Sequence, residues 1–285
     1  MGGPSLPAWD LVVCTVGRTA EPARLLDSLT GQTHRGFRVV VVDQNADERL
    51  TPLLERHPEL DVLRLTSAPG LSRARNAALS HLRAELVAFP DDDCTYPHDL
   101  LERAARRFAG EPSPDAITGR DVDSAGGGSR SWDAERRLVT PANVWYHGLS
   151  AAVFLRRSVV ERVGAFDEQL GLGSGTPWSS SEEVDYLIRA AKLGARIEYD
   201  PELAVQHEVR TLDGAALRAI GKSEGGSVGY LLRKHAYPSR TVARMLVRPV
   251  GGVVVSLARL DPARAAFHIA TLGGRVRGYA SGRAD

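Results

Sequence analysis

The chain has 285 residues, 43% of them hydrophobic and 25% charged, with a formal net charge of +1. That composition gives a soluble globular protein of one large α/β domain with an appendage, or of two small domains. It excludes overall electrostatic selection for nucleic acid. Its two cysteines, Cys14 and Cys94, supply neither a disulfide framework nor a zinc site. They fit a reducing cytosol. Residues 1–9 lack the basic start and apolar core of a signal peptide. No apolar run approaches the roughly 20 residues of a membrane span. The longest candidate, Val247–Leu260, is interrupted by Arg248, Pro249, Gly251, Gly252 and Arg259. The expected location is cytoplasmic.

Taken in order, Asp10–Thr15 predicts a buried strand, followed by Gly17, Arg18 and a helix over 21–29 with Leu25, Leu26 and Leu29 on one face. Phe37–Asp43 is nearly continuous β-branched sequence, as in central parallel strands, and ends on an acid. A helix over 48–57 leads to a strand at Val62–Thr66. A helix over 70–79 then opens with Arg73, Arg75 and Asn76, with Ser72 placed to cap it. A fourth strand at Leu86–Phe89 runs into Asp91-Asp92-Asp93. This alternation predicts a doubly wound, mostly parallel α/β sheet. Strand one then lies beside strand four, so that Thr15, Asp43 and the acidic triplet share one edge.

Three adjacent acids repel one another unless a cation or solvent neutralises them. At the carboxyl end of a parallel strand they lie where open α/β sheets bind ligands, and there they could offer oxygen ligands to Mg²⁺ or Mn²⁺. Taken singly, the triplet reads equally as a solvated turn, and Asp43 as a turn residue or an acceptor for a nucleobase imide. No Gly-rich phosphate loop of either common kind occurs. A bound diphosphate would therefore rely on metal and arginine, with Arg73 and Asn76 at a helix start.

After a helix over 100–108 the pattern loosens. Asp115–Asp123 alternates like a strand, 124–139 reads as a loop, and 144–156 begins aromatic and becomes a strand. Ser158 is placed to cap a short helix to Val163. Gly171–Ser181 surrounds Trp178 with Gly and Ser and reads either as a mobile loop over a site or as a surface linker. Ser181–Gly194 is a well-marked helix carrying Glu182, Glu183 and Asp185 in or near its first turn. From Tyr230 onward there are ten Arg or Lys and two Asp. That basic, apolar-interleaved tail suits an anionic membrane surface. A packed appendage or a homodimer contact is the alternative.

Together these residues resemble the inverting family 2 glycosyltransferases of the GT-A fold, over about Leu11–His207. The resemblance rests on the first strand with Thr15, the second strand ending in Asp43, the Asp91-Asp92-Asp93 motif, and Gly164–Glu168 followed by Glu182-Glu183-Val184-Asp185. It implies a catalytic domain over 1–210, with a donor half at 10–110 and an acceptor half at 111–210, and a helical basic extension over 211–285. It implies a nucleotide-diphosphate sugar donor, Mn²⁺ or Mg²⁺, and a glycan or lipid-linked acceptor, as in polysaccharide or glycolipid assembly. Carried over by position, Thr15, Asp43, Arg73, Asn76 and Asp92 would bind the donor. Asp91, Asp93 and His207 would hold metal, and Trp178 and Glu182 would face the acceptor. Glu183 would be the catalytic base. The family pattern has Glu-Asp where this chain has Glu182-Glu183, which leaves Asp185 open as the base. A sugar-phosphate nucleotidyltransferase, or a sugar-nucleotide or glycan-binding module without activity, are the competing readings.

Overall fold

The computed structural model describes residues 6–207 and 212–282. Its first four strands are β1 (Trp9–Thr15), β2 (Phe37–Asp43), β3 (Val62–Thr66) and β4 (Leu86–Ala88). All three pairings among them are parallel, in the order β3-β2-β1-β4. Every residue of β1 is buried, which is why its sequence shows no polar alternation. The register sets Thr15 against Asp43, and an isolated parallel bridge joins Cys14 to Asp91. Thr15, Asp43 and the start of the triplet thus meet at one sheet edge.

The intervening helices are α1 (Ala20–Thr30), α2 (Thr51–Glu55) and α3 (Leu71–Leu79). Helix α1 buries Leu25, Leu26 and Leu29, the face read from the sequence. Helix α3 starts differently from expectation. Gly70 is its N-cap, at φ 134°, a conformation that suits glycine. Ser72 lies inside the helix and is 1% exposed.

The rest of the sheet comprises β5 (Cys94–Thr95), β6 (Ala116–Val122), β7 (Arg137–Val139), β8 (Val153–Arg156) and β9 (Ile197–His207). Strand β8 runs antiparallel to β4 and β6, and β5 and β7 run antiparallel to β9. Only β6 and β9 pair in parallel in this half. The sheet is therefore mixed rather than mostly parallel. Short strands joined without a long crossover helix return antiparallel, and β7 arises inside a segment expected to be loop. The helices here are α4 (Leu100–Ala109), α5 (Val144–His147), α6 (Arg157–Val163) and α7 (Glu182–Lys192). Arg156, not Ser158, is the residue at the start of α6. Trp9 anchors the core, edge-on to Phe108 at 5.9 Å and to Phe154 at 5.7 Å, among Leu25, Leu26, Leu100 and Leu101. Such aromatic pairs add about 0.5–1.5 kcal/mol each beyond the area they bury.

The chain forms two compact units. One holds the sheet, up to Phe166 and again from Glu183; the other combines Asp167–Glu182 with the C-terminal helices. The expected domain boundary at 210/211 lies outside the described residues. In the second unit, α8 (Gly214–Lys234), α9 (Ser239–Ala258) and α10 (Pro262–Ser281) follow one another. Asp213 caps α8 by accepting from Ala215 N at 2.9 Å and Ala216 N at 2.7 Å. Helices α8 and α10 touch backbone to backbone. A Cβ at Gly229 would lie 2.1 Å from Arg275 O, and one at Gly278 2.0 Å from Gly226 O.

Two expectations change in this unit. The 171–181 loop is folded onto α8. Gly171 N donates to Trp178 O at 3.2 Å, Thr176 Oγ1 to Gln169 O at 2.6 Å, and Trp178, 8% exposed, stacks on Tyr230 at 5.7 Å. Glycine at 226 makes room for that indole, since a Cβ there would sit 2.9 Å from Trp178 Cζ3. Helix α9, moreover, is by length and composition apolar enough to cross a bilayer. Counting uninterrupted apolar runs missed it, because the helix continues through Arg248 and Pro249.

Candidate active site

Asp43 ends β2 with 1% exposure. Its Oδ1 accepts from Asn45 N at 2.9 Å and Asn45 Nδ2 at 2.7 Å, and its Oδ2 accepts from Arg64 Nε at 3.1 Å and an Arg64 terminal nitrogen at 2.7 Å. Asn45 Oδ1 in turn accepts from Gly17 N at 2.6 Å. The loop after β1 is thereby tied to the loop after β2. Thr15, opposite Asp43 in register, is 1% exposed.

The three acids of the triplet have different partners. Asp91 Oδ1 accepts from Ser150 Oγ at 2.9 Å and lies 3.4 Å from a terminal nitrogen of Arg75. Asp92 Oδ1 accepts from Arg18 Nη1 at 2.6 Å, and the same nitrogen donates to Asp93 Oδ2 at 2.9 Å. Asp93 Oδ1 lies 3.2 Å from His207 Nε2. The β5–β9 register sets this last contact by placing Cys94 opposite His207. Burial pushes the Asp92 carboxyl above its ordinary range despite Arg18. The His207 hydrogen bond, with Arg18 behind it, holds the Asp93 carboxyl well below that range, and Asp93 raises the imidazole pKa of His207. These are the neutralising cations that three adjacent acids require.

Arg75 is the most enclosed cation of the site, at 2% exposure. Its guanidinium lies beside the edge-to-face pair of Phe89 and Phe166, 5.6 and 5.3 Å from their ring centroids, and donates to Ser150 Oγ at 2.6 Å. Arg75, Phe89, Ser150, Phe166, Glu183 and Tyr186 are among the residues lining one small pocket. Asn76 holds Phe166 from both sides, donating to its carbonyl at 3.0 Å and accepting from its N–H at 2.7 Å. Arg73 is exposed and donates to Pro69 O at 2.9 Å.

The helix that carries Glu183 separates its acids. Glu183 is half-buried and lines the pocket. Asp185 is 0% exposed and accepts from Arg189 Nε at 2.8 Å. Glu182 is 4% exposed, and Trp178 belongs to the second compact unit. Both cysteines are buried thiols. Sequence reasoning gave no role to Arg18, Arg64 or Ser150. Arg18 had a signal, its place just beyond the end of β1; Ser150, in an apolar run, had none.

The oxygen-rich donor set suits a hard divalent ion. Among the described residues, however, no three His, Cys, Asp or Glu side chains converge closely enough to hold a metal by themselves. The expected trio of Asp91, Asp93 and His207 forms no ready cage, because Asp91 faces Ser150 and Arg75 while His207 is hydrogen-bonded to Asp93. The set fits an ion that one or two carboxylates share with the phosphates of a ligand, the usual arrangement for Mg²⁺.

Comparison with known proteins gives a consistent picture. The family model described as Glycosyl transferase family 2 matches residues 10–164. The chain is 30% identical over 254 residues to a pre-mycofactocin glycosyltransferase of Mycobacterium tuberculosis, covering 84% of this chain and 50% of that protein. It is 28% identical over 246 residues to succinoglycan biosynthesis protein ExoM of Rhizobium meliloti, covering 81% and 77%. The chain thus spans about half the length of the first of these relatives. Among solved structures, mannosyltransferase PcManGT from Pyrobaculum calidifontis, in complex with GDP-Man and Mn²⁺, superposes with a TM-score of 0.65 at 18% identity, covering 95% of this chain and 87% of that one.

Proposed function

Because the chain belongs to glycosyl transferase family 2 and has the GT-A fold, we propose that it moves a sugar from a nucleotide-diphosphate donor to an acceptor hydroxyl, with inversion. One observation carries this reading. Glu183 lines the same pocket as Arg75 and Ser150, the two residues that hold Asp91. The candidate base therefore lies across one small volume from the residues that hold a carboxylate of the triplet.

In this reading Asp43 and Thr15 border the nucleoside, and Asp91 and Asp93 lie beside the diphosphate. Asn76 acts by fixing Phe166. Asp93, with a second carboxylate of the triplet, would hold Mn²⁺ or Mg²⁺, which would neutralise the growing charge of the leaving group. Glu183 accepts the proton of the acceptor hydroxyl. The hydroxyl oxygen bonds to the anomeric carbon as the bond to the diphosphate oxygen breaks, and that electron pair leaves with the nucleoside diphosphate. Glu183 is preferred to Asp185 because a base must reach its substrate, whereas Asp185 is enclosed and paired with Arg189. Asp185 is a positioning residue of α7. The acceptor is a glycan or a lipid-linked sugar, in line with a relative named for succinoglycan biosynthesis.

The second unit supports a peripheral place on an anionic membrane. Helix α9 exposes Val247, Val250, Val254 and Leu257, with Leu260 just beyond it. Arg240, Arg244 and Arg248 are exposed towards its start. Apolar insertion combined with arginine contacts is how interfacial helices bind anionic lipid.

The catalytic test is Glu183→Gln. It should slow transfer by roughly 10²–10⁴-fold, the range for loss of a general base, while calorimetry shows unchanged binding of UDP or GDP with Mn²⁺. Wild-type transfer rates in this variant would overturn the assignment.

A further inference from the structure

We infer that Arg18 is an internal counter-cation: it occupies the place of the divalent ion on Asp92 and Asp93, and passes to the donor's diphosphate when ion and nucleotide arrive. The inference rests on the donor site proposed above. It starts from a geometric point. A single nitrogen of Arg18 lies 2.6 Å from Asp92 Oδ1 and 2.9 Å from Asp93 Oδ2. Two carboxylates converge there on one positive point, as they would on a bound ion. Metal–oxygen bonds are shorter, about 2.0–2.1 Å for Mg²⁺, so the guanidinium and an ion cannot share that point.

Asp93 also has His207 against its other oxygen. With a donor already on each oxygen, an ion reaching Asp93 competes with them. Arg18 is the one free to leave. Its side chain is 30% exposed and stands on the turn between β1 and α1, beside Gly17 at φ 71°. His207, the other donor on Asp93, is instead held on β9 by its register against Cys94. A guanidinium remains charged at any relevant pH, so Arg18 leaves only if another cation replaces it and another anion receives it. The diphosphate is that anion, and a guanidinium can bond it bidentately. Ion and nucleotide should therefore bind cooperatively, with Arg18 as the link.

The test is Mn²⁺ titration of the whole protein, followed by calorimetry and by the EPR signal of free Mn²⁺, with and without UDP or GDP. Arg18→Gln should bind Mn²⁺ about ten-fold more tightly than wild type when no nucleotide is present, a single decade in affinity. The gain in Mn²⁺ affinity that nucleotide confers should shrink in the same variant. Arg18→Lys, which keeps a cation at the position, should stay near wild type in the nucleotide-free titration. Equal or weaker Mn²⁺ binding by Arg18→Gln would overturn the inference. Tighter binding with an undiminished nucleotide effect would overturn the hand-over to the diphosphate. No Mn²⁺ binding by any of the three proteins under any of these conditions would overturn the donor site itself, and this inference with it.

Discussion

The two compact units differ in the contacts they bury most closely. In the sheet unit, Asp10, Asp43, Asp185 and Asp200 are each at most 1% exposed, and each is answered by an arginine: Arg38, Arg64, Arg189 and Arg107 respectively. In the helical unit, the closest contacts are between backbones at glycines facing α8 and α10. A buried charge must be paired or it destabilises the fold strongly. A glycine contact needs only the absence of a Cβ. One unit is specified by electrostatic complementarity, the other by shape, and charge complementarity is the property a site for an anionic donor can exploit.

That contrast can be broken from either side. The largest effect is expected at Gly278→Val, which would drive side-chain atoms into Gly226 O. Overpacking of this kind should cost about 3 kcal/mol, seen as a lower first transition in a calorimetric melt, while UDP or GDP binding with Mn²⁺ is retained. Loss of nucleotide binding in parallel would show that the units do not fail separately. Asp185→Asn should cost about 2 kcal/mol, the scale of a hydrogen bond to a charged group. Chemical denaturation should report that loss while the transfer rate per folded molecule stays close to wild type. A dead but fully stable Asp185→Asn would make Asp185 the base and undo the division between Glu183 and Asp185. The smallest effect concerns membranes. Val254→Ser with Leu257→Ser should lower sedimentation with anionic vesicles several-fold at low salt, because less apolar side chain is inserted. Equal recovery would leave the exposed face of α9 to a second copy of the chain, detectable by ultracentrifugation.

The parallel half of the fold was legible because its strands are short and mostly apolar and α1 has one apolar face. Phe37–Asp43 and Val62–Thr66 match the observed strands residue for residue. The antiparallel half was less legible. Strand β7 is three residues long with two of them exposed, so no periodicity marks it. At the site, the sequence brought Asp43 and the triplet to one edge, but the partner of each acid depends on side-chain reach across distant segments. Arg18 meets Asp92 across 74 positions and Asp93 meets His207 across 114. No local pattern encodes such pairs. Arg64 lies on the neighbouring strand of the same edge, and its bond to Asp43 follows from a register known only once the strands are ordered.

The arrangement around Arg75 also bears on how relatives of this chain can diverge. Its charge lies against the rings of Phe89 and Phe166 and donates to Ser150, and Phe166 is in turn fixed by Asn76. These five positions lie in four separate stretches of sequence, yet a change at any one alters what the others must be. Losing either ring exposes the guanidinium, and losing the arginine leaves two aromatic faces and a hydroxyl without their common partner. Such a set should drift as a block: in distant relatives positions 75, 76, 89, 150 and 166 are expected to be replaced together or not at all, a pattern of covariation spanning 91 residues of chain and centred on one side chain.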